Sequence, residues 1–307
     1  MRVFAFAFAF VVAGCGVAAL DQGQAPPLPR APEAEVLVTH STQSHEAPVA
    51  PREVVDAEGS KLFLDAGVDG AFVLADLNSQ ITTVVNPEQA ATGYLPASTF
   101  KIPNTLIGLE TGVIPDAGFA QKWDGVKRDG PAVWNQDHDL ASAMKSSVVW
   151  FYQEIARQIG AERMNHWLGA FHYGNRNTSA GIDQFWLRGA MRVTPREQVA
   201  FLRKLRARSL PVSPAHAELV ERLITLEETP KYTLRAKTGL TTQDEQSVGW
   251  LVGFVDQPKG NFAFACVLLV PAKHGAKLID LRLQLAKQLL RRAGALPDPA
   301  AQPAQPK

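Results

Sequence analysis

Ser98 and Lys101 stand three residues apart in YLPASTFKIPNTLIGLETG, residues 94–112. The stretch opens without helical periodicity, and from Ile102 onward Leu106, Ile107 and Leu109 repeat at helical spacing. This pattern predicts a helix opened by Ser98, with the Lys101 amine on the same face one turn on. A hydroxyl at a helix N-terminus sits at the positive end of the backbone dipole, and its own N–H is free to donate to an oxyanion. Such a serine is suited to attack a carbonyl, with the lysine taking its proton if the amine is neutral. A free lysine titrates at about 10.4, so the role needs an apolar pocket that lowers the pKa by several units. Pro103 falls within the first two turns, where a missing N–H costs less than in mid-helix. Alone, a serine-x-x-lysine pair says little, because it recurs by chance on many helices.

Three further stretches carry residues that would complete such a site. Ser147-Val148-Val149 lies in a helical section, Tyr173-Gly174-Asn175 follows, and Lys237-Thr238-Gly239 ends a strand-like run. Serine-x-x-lysine, a middle triplet and Lys-Thr-Gly, in that order, form the signature set of penicillin-recognising serine enzymes. Taken by itself, YGN is simply a turn. Other catalytic chemistries find little support. The seven histidines include neither His-x-His nor His-Glu-x-x-His, so no metal site is expected. Neither a Gly-x-Ser-x-Gly elbow nor a glycine-rich phosphate loop is present. His138, in QDHD, reads as a surface loop residue.

The elements that must position these residues follow an informative order. AFVLADL at 71–77 and ITTVV at 81–85, separated by Asn78-Ser79, read as a hairpin. A helical middle section follows: LASAMKSS, WFYQEIARQIG, AERMNHWLGAF, TPREQVAFLRKLRA and SPAHAELVERLITLEE. In the fourth, Thr194, Pro195 and Glu197 combine a capping box with a proline at the first helical position. Three strand-like runs come next, KYTLRAK, SVGWLVGFV and NFAFACVLLV, and then a helical pattern over 275–293. Strands at both ends around a helical middle predict an α+β fold. One antiparallel sheet, closed by both ends of the domain and flanked by helices, carries an inserted helical subdomain. A cleft between the two parts is the natural binding site.

PASTFKIPN, the Ser-x-Val triplet, YGN and KTG together resemble the class D serine β-lactamases, the oxacillinase type, over essentially all of residues 54–296. GIDQFWL at 181–187 and Leu281-Arg282, 45 residues beyond Lys237, resemble the same family. The resemblance implies a β-lactamase/transpeptidase-like fold and hydrolysis of β-lactam antibiotics, penicillins and oxacillin-like compounds, giving resistance. It makes Ser98 the nucleophile and Lys101 the seat of its base. Val149 stands where class A enzymes carry asparagine and offers Lys101 no hydrogen bond. With Phe100, Leu187 and the Trp186 ring it would dry the pocket and favour a neutral amine. A neutral amine adds carbon dioxide, available from bicarbonate, and the carboxylated lysine serves as general base, fixed by the Trp186 indole N–H. The Ser98 and Leu240 N–H groups would hold the oxyanion, and Ser147 would relay a proton with help from Lys237. Lys237, Thr238, Gly239 and Arg282 would border the substrate carboxylate. Tyr173 and Asn175 would shape the site. No bound cofactor or metal is implied. One alternative is a penicillin-binding transpeptidase or carboxypeptidase, which would deacylate slowly and would usually lack the Val149 and Trp186 pairing; the other is a penicillin-sensing receptor domain that stays acylated. Such domains are normally tethered behind several membrane helices, and the only apolar segment legible here is a signal.

That signal is MRVFAFAFAFVVAGCGVAAL, with one early charge and an apolar run shorter than the roughly 20 residues that cross a bilayer. VAGC at 12–15 resembles a lipobox, which makes residues 1–14 a lipoprotein-type signal peptide and Cys15 the lipidated residue. An ordinary cut near GVAA is the alternative. Residues 15–53, rich in Pro and Ala, read as a flexible tether, 54–296 as the enzyme domain and 297–307 as a disordered tail. On either cut the protein is exported to the periplasm, with a possible lipid anchor to the membrane. Cys266, in an apolar run, reads as a buried core residue with no disulfide. The 307 residues include 31 basic and 30 acidic ones, a formal charge of +1, so no field favours nucleic acid. The basic runs LRKLRAR at 202–208 and Arg291-Arg292 read as solvated helix faces. The family includes monomers and homodimers, which leaves both states open.

Overall fold

The apolar runs of the sequence become strands buried on both faces. The computed structural model describes residues 52–298. The signal segment, Cys15, most of the tether and most of the tail lie outside the described residues. The strands are β1 (Arg52–Val55), β2 (Asp69–Asp76), β3 (Ile81–Val85), β4 (Ala120–Gln121), β5 (His138–Asp139), β6 (Thr225–Glu228), β7 (Thr233–Gln243), β8 (Gln246–Gln257) and β9 (Gly260–Pro271). The helices are α1 (Ser60–Asp65), α2 (Pro87–Ala91), α3 (Lys101–Glu110), α4 (Leu140–Lys145), α5 (Val149–Ile159), α6 (Ala161–Phe171), α7 (Pro195–Arg206), α8 (Pro214–Leu223) and α9 (Leu278–Arg292). Seven strands form one sheet in the order β1-β3-β2-β9-β8-β7-β6, and β4 with β5 makes a small separate ribbon. The sheet departs from the expected antiparallel plan at one edge, where β1 runs parallel to β3. It is therefore mixed, and β1 begins at Arg52, two residues before the expected start of the domain.

Strand periodicity sorts the side chains into two cores. Ala71, Val73 and Ala75 of β2 join Val252 and Phe254 of β8 in the core shared with the helical subdomain. Phe72 and Leu74 point the other way, with Leu251, Cys266 and Leu268, onto Phe63 of α1 and Leu285 and Leu289 of α9. Cys266 is a free, buried thiol within that second layer. Helices on both faces explain why β8 and β9 read as continuous apolar runs and not as alternating ones.

Local signals decide where elements start and stop. The Thr194 side chain accepts the Glu197 N–H at 3.0 Å while the Glu197 carboxylate accepts the Thr194 N–H at 2.8 Å, the reciprocal cap read from the sequence. The run SPAHAELVERLITLEE is not one helix. It ends at Leu223, and the stretch from Thr225, which follows the β-branched Ile224, pairs with the start of β7 as β6. His138 is buried, contrary to the surface reading. Its Nε2 donates to the Val133 carbonyl at 2.7 Å, and its Nδ1 lies 3.0 Å from the Ser142 hydroxyl. This ring therefore closes the loop that leads into α4.

The run LRKLRAR is also more than a solvated face. Arg206 and Arg208 meet the buried Glu221 carboxylate at 2.7 and 2.6 Å, and Arg206 also pairs with Asp256, which Arg235 holds from β7. This chain of charges ties α7 and α8 to β7 and β8. Removing one partner of a buried charge network leaves the others uncompensated, at a cost of about 3 kcal/mol. Glu221→Ala is accordingly expected to lower the unfolding free energy by roughly that much in urea titration. A loss below about 1 kcal/mol would mean that the cluster acts as an ordinary surface pair.

Candidate active site

The backbone that carries Ser98 differs from the predicted helix start. Ala97–Phe100 is a 3-10 turn, and α3 begins at Lys101. Ala97 has φ +50°, a left-handed conformation that costs a non-glycine residue about 1 kcal/mol or more. Its N–H donates to the Trp186 carbonyl at 2.9 Å, and the Thr99 hydroxyl donates to the Pro96 carbonyl at 2.7 Å. These bonds offset the strain and lift Ser98 onto the rim of the turn, half-buried, above a fully buried Phe100. The Ser98 N–H lies in the first turn of this segment, among the amides that helical bonding leaves free.

Lys101 lies beneath it, 1% exposed, with Nζ donating to Ser98 Oγ at 3.0 Å. Burial pushes its pKa well below the ordinary lysine value, and the nearby charge of Lys237 pushes it further. A neutral amine at 3.0 Å can reverse that bond and accept the hydroxyl proton. The Tyr152 ring centroid is 5.0 Å from Nζ. Phe100 stacks on Trp186, with centroids 5.3 Å apart and planes 19° apart. The Trp186 ring is fully buried, and its indole N–H finds no acceptor among the described residues. A buried donor without an acceptor is a rare and costly feature in a core.

Ser147 occupies the turn between α4 and α5 with φ +57°. The Trp134 indole N–H donates to the Ser146 carbonyl at 2.9 Å and so holds this turn in place. Ser147 Oγ accepts a bond from Lys237 Nζ at 3.0 Å, and the same amine reaches the Thr238 carbonyl at 3.1 Å and hydroxyl at 3.3 Å. Val149 opens α5 beside it, half-buried.

Lys237, Thr238, Gly239 and Leu240 stand on β7 beyond the end of β6, where one edge of the strand is unpaired. The Ala236 N–H crosses that edge to the Ile224 carbonyl at 2.7 Å. Strand alternation then sends the Leu240 N–H off the same edge, beside the Ser98 turn. Gly239 lets the two come together: a Cβ there would lie 3.1 Å from the Pro96 carbonyl oxygen and 3.2 Å from Thr99 Cγ2. Leu240 is 37% exposed and forms an apolar lip. From α9, Arg282 donates to the Gly239 carbonyl at 2.8 Å. Burial and the Arg282 charge lower the Lys237 pKa to about 7.

Tyr173 and Asn175 support the site from behind. Tyr173 is buried, its hydroxyl donates to Gln198 at 3.3 Å, and its ring meets the Phe100 edge at 5.8 Å. Asn175 is exposed and clamps the Trp186 loop, donating to the Ala190 carbonyl at 2.8 Å and accepting the Arg192 N–H at 3.0 Å. Gly174 permits this clamp, since a Cβ would fall 2.2 Å from the Arg192 carbonyl. These contacts assign both residues to scaffolding and not to a substrate surface. Tyr152, Trp134 and Gln198 were not singled out in the sequence. Helical spacing from Val149 could have found Tyr152 at i+3, whereas Trp134 and Gln198 carry no local signal.

The site thus unites a serine hydroxyl, two amines with depressed pKa values, a guanidinium and an edge N–H on neighbouring elements. The penicillin binding protein transpeptidase domain family matches residues 70–290. β-Lactamase OXA-48 of Klebsiella pneumoniae is 42% identical over 235 residues, 76% of this chain and 87% of that protein. The crystal structure of a class D β-lactamase from Sebaldella termitidis has a TM-score of 0.77 and 32% identity, covering 80% of this chain and 100% of that one. The chain belongs to the class D β-lactamases. The C-terminal domain of the Bacillus licheniformis BlaR penicillin-receptor is similar too, with a TM-score of 0.73 and 32% identity over 82% of this chain and 100% of that domain. The fold is therefore shared with a penicillin-receptor domain as well as with class D β-lactamases.

The depressed pKa of Lys237 has a consequence for stability. Its folded value, about 7, lies below the ordinary 10.5, so between these values the unfolded chain binds more protons than the native one. Stability should rise with pH across that window, by up to about 1.4 kcal/mol per pH unit from this group. Urea unfolding between pH 7 and 9 should show that slope in the parent chain and a shallower one in Lys237→Met. Equal slopes would mean that the amine is protonated in the fold.

Proposed function

We propose that this chain hydrolyses β-lactam antibiotics, penicillins and oxacillin-like compounds, through an acyl-enzyme on Ser98 with carboxylated Lys101 as general base, and so confers resistance. The observation that carries the reading is the buried Lys101 amine at 3.0 Å from Ser98 Oγ, together with a buried, unpartnered indole N–H on Trp186, whose ring stacks on Phe100 beside it in the chain. Carboxylation requires a neutral amine, and the carboxylate it creates requires a donor. The depressed pKa of Lys101 supplies the first, and Trp186 is suited to supply the second. Carbon dioxide carried on Lys101 would provide an oxygen base strong enough to deprotonate first a hydroxyl and then a water.

In the acylation half, Ser98 gives up its proton and its Oγ bonds to the lactam carbonyl carbon. The Ser98 and Leu240 N–H groups hold the oxyanion as the ring C–N bond breaks. Ser147, backed by Lys237, delivers a proton to the leaving nitrogen. Arg282, Lys237 and Thr238 take the substrate carboxylate, for which the guanidinium fork is well shaped. In the second half a water adds to the ester carbon, the bond to Ser98 Oγ breaks, and Ser98 recovers its proton. Export to the periplasm, with Cys15 lipidated and residues 15–53 as tether, completes the proposal. The folded domain is compatible with a monomer or a homodimer.

The likeness to the BlaR receptor domain favours one second reading, a sensor that acylates and stays acylated. A β-lactam panel assayed with and without bicarbonate separates the two. Multiple turnover that rises with bicarbonate is expected, and stoichiometric acylation without turnover at saturating bicarbonate would favour the sensor. Trp186→Ala should slow deacylation more than acylation in single-turnover kinetics, by about a hundredfold, the usual scale of a lost general base. An unchanged deacylation rate would remove the indole from the mechanism.

A further inference from the structure

Trp186 is fixed through backbone carbonyls and not through its own indole N–H. Its carbonyl accepts the Ala97 N–H at 2.9 Å, which ties the loop to the Ser98 turn. The next carbonyl, of Leu187, accepts the Thr241 hydroxyl at 2.8 Å. Among the described residues these are the hydrogen bonds that reach residues 184–188 from outside the loop. Others lie at its ends, where Gln153 donates to the Asp183 carbonyl at 3.0 Å and Asn175 to that of Ala190 at 2.8 Å. Thr241 stands on β7 four residues beyond Lys237, so strand alternation puts both side chains on one face of the sheet. One hydroxyl therefore joins the strand that carries Lys237 to the loop that carries Trp186.

We propose that Thr241 is a positioning residue for Trp186, its bond to the Leu187 carbonyl holding the indole N–H where it can donate to the carboxylated Lys101. This deepens the carboxylated-lysine reading and rests on it. A hydrogen bond weakens steeply once its geometry drifts, so a loop that loses one of its two central ties holds the N–H less well aimed. The effect passes through the lysine's modification and not through substrate contact. Thr241→Val should therefore change the bicarbonate requirement before it changes substrate affinity.

The test compares Thr241→Val, which keeps the shape and loses the donor, with Thr241→Ser, which keeps the donor. Hydrogen–deuterium exchange over residues 181–191 is measured, together with the bicarbonate concentration for half-maximal turnover and the carbon-13 carbamate signal after labelling with bicarbonate. Faster exchange in the valine variant is expected, with a bicarbonate midpoint raised roughly tenfold, the scale on which lost orienting bonds act at metal sites. The serine variant should match the parent. A valine variant with lower stability but the parent's midpoint and carbamate signal would overturn the proposal and leave the lysine chemistry intact. If the parent chain itself shows no carbamate signal and no bicarbonate response, the carboxylated-lysine reading fails and this proposal falls with it.

Discussion

Lys101 has no carboxylate partner among the described residues, and its Nζ lies in a pocket closed to water. Taking an ammonium out of water costs several kcal/mol even after the protein relaxes, and a second amine nearby adds to that cost. The group responds by giving up its proton, which is the direction its pKa takes. Much of the surrounding architecture serves this one condition. The aromatic stack of Phe100 on Trp186 excludes water, and the valines after Ser147 offer no polar side chain to share the charge. A wetter or more acidic pocket would keep the ammonium and lose the base.

The cations are graded across the site. Arg282, at the outer end, keeps its charge, because a guanidinium titrates too high for partial burial to discharge it. Lys237, between Arg282 and Lys101, has a pKa of about 7 and can hold or release a proton near neutrality. Lys101, the innermost, is shifted well down. This ordering places a fixed positive charge at one side of the site while keeping an uncharged amine at the nucleophile. It also suits Ser147, whose hydroxyl lies 3.0 Å from this Lys237 amine, which can supply and recover a proton.

Residues whose role depends on local spacing were legible in the sequence. Ser98 and Lys101 lie within one turn, Thr194 and Glu197 form a capping box across three residues, and the two strands around Asn78-Ser79 form a hairpin. Where the outcome depends on what a residue meets across the fold, local pattern was insufficient. His138 looked exposed because its polar sequence context resembles a solvated loop, whereas its ring is buried near Trp150 of α5, with centroids 6.2 Å apart. Arg206 and Arg208 looked like surface charges because Glu221 and Asp256 reach them from other elements. The helix start at Ser98 was missed by three residues because the left-handed Ala97 is set by a bond to Trp186, 89 positions away. The direction of β1 gave no sequence signal at all, since parallel and antiparallel edges read alike.

The site spans the seam between the sheet and the helical subdomain, so its geometry depends on what crosses that seam. The Trp250 indole N–H donates from β8 to the Leu95 carbonyl at 2.9 Å, and the Leu95 N–H donates to Gln243 on β7 at 2.8 Å. With Thr241 on the Leu187 carbonyl, these bonds fasten the Ser98 turn and the Trp186 loop to two adjacent strands. Ala97 is thereby held in a left-handed conformation it would abandon in an isolated peptide, as Ser147 is by the Trp134 bond to the Ser146 carbonyl. The strain is useful only if the frame is stiff, and β7 pairs with β8 over its whole length, from Thr233 to Gln243. Packing the helices against those strands therefore does more than bury apolar surface: it fixes the distance from Ser98 to the β7 edge, on which any oxyanion site between them depends.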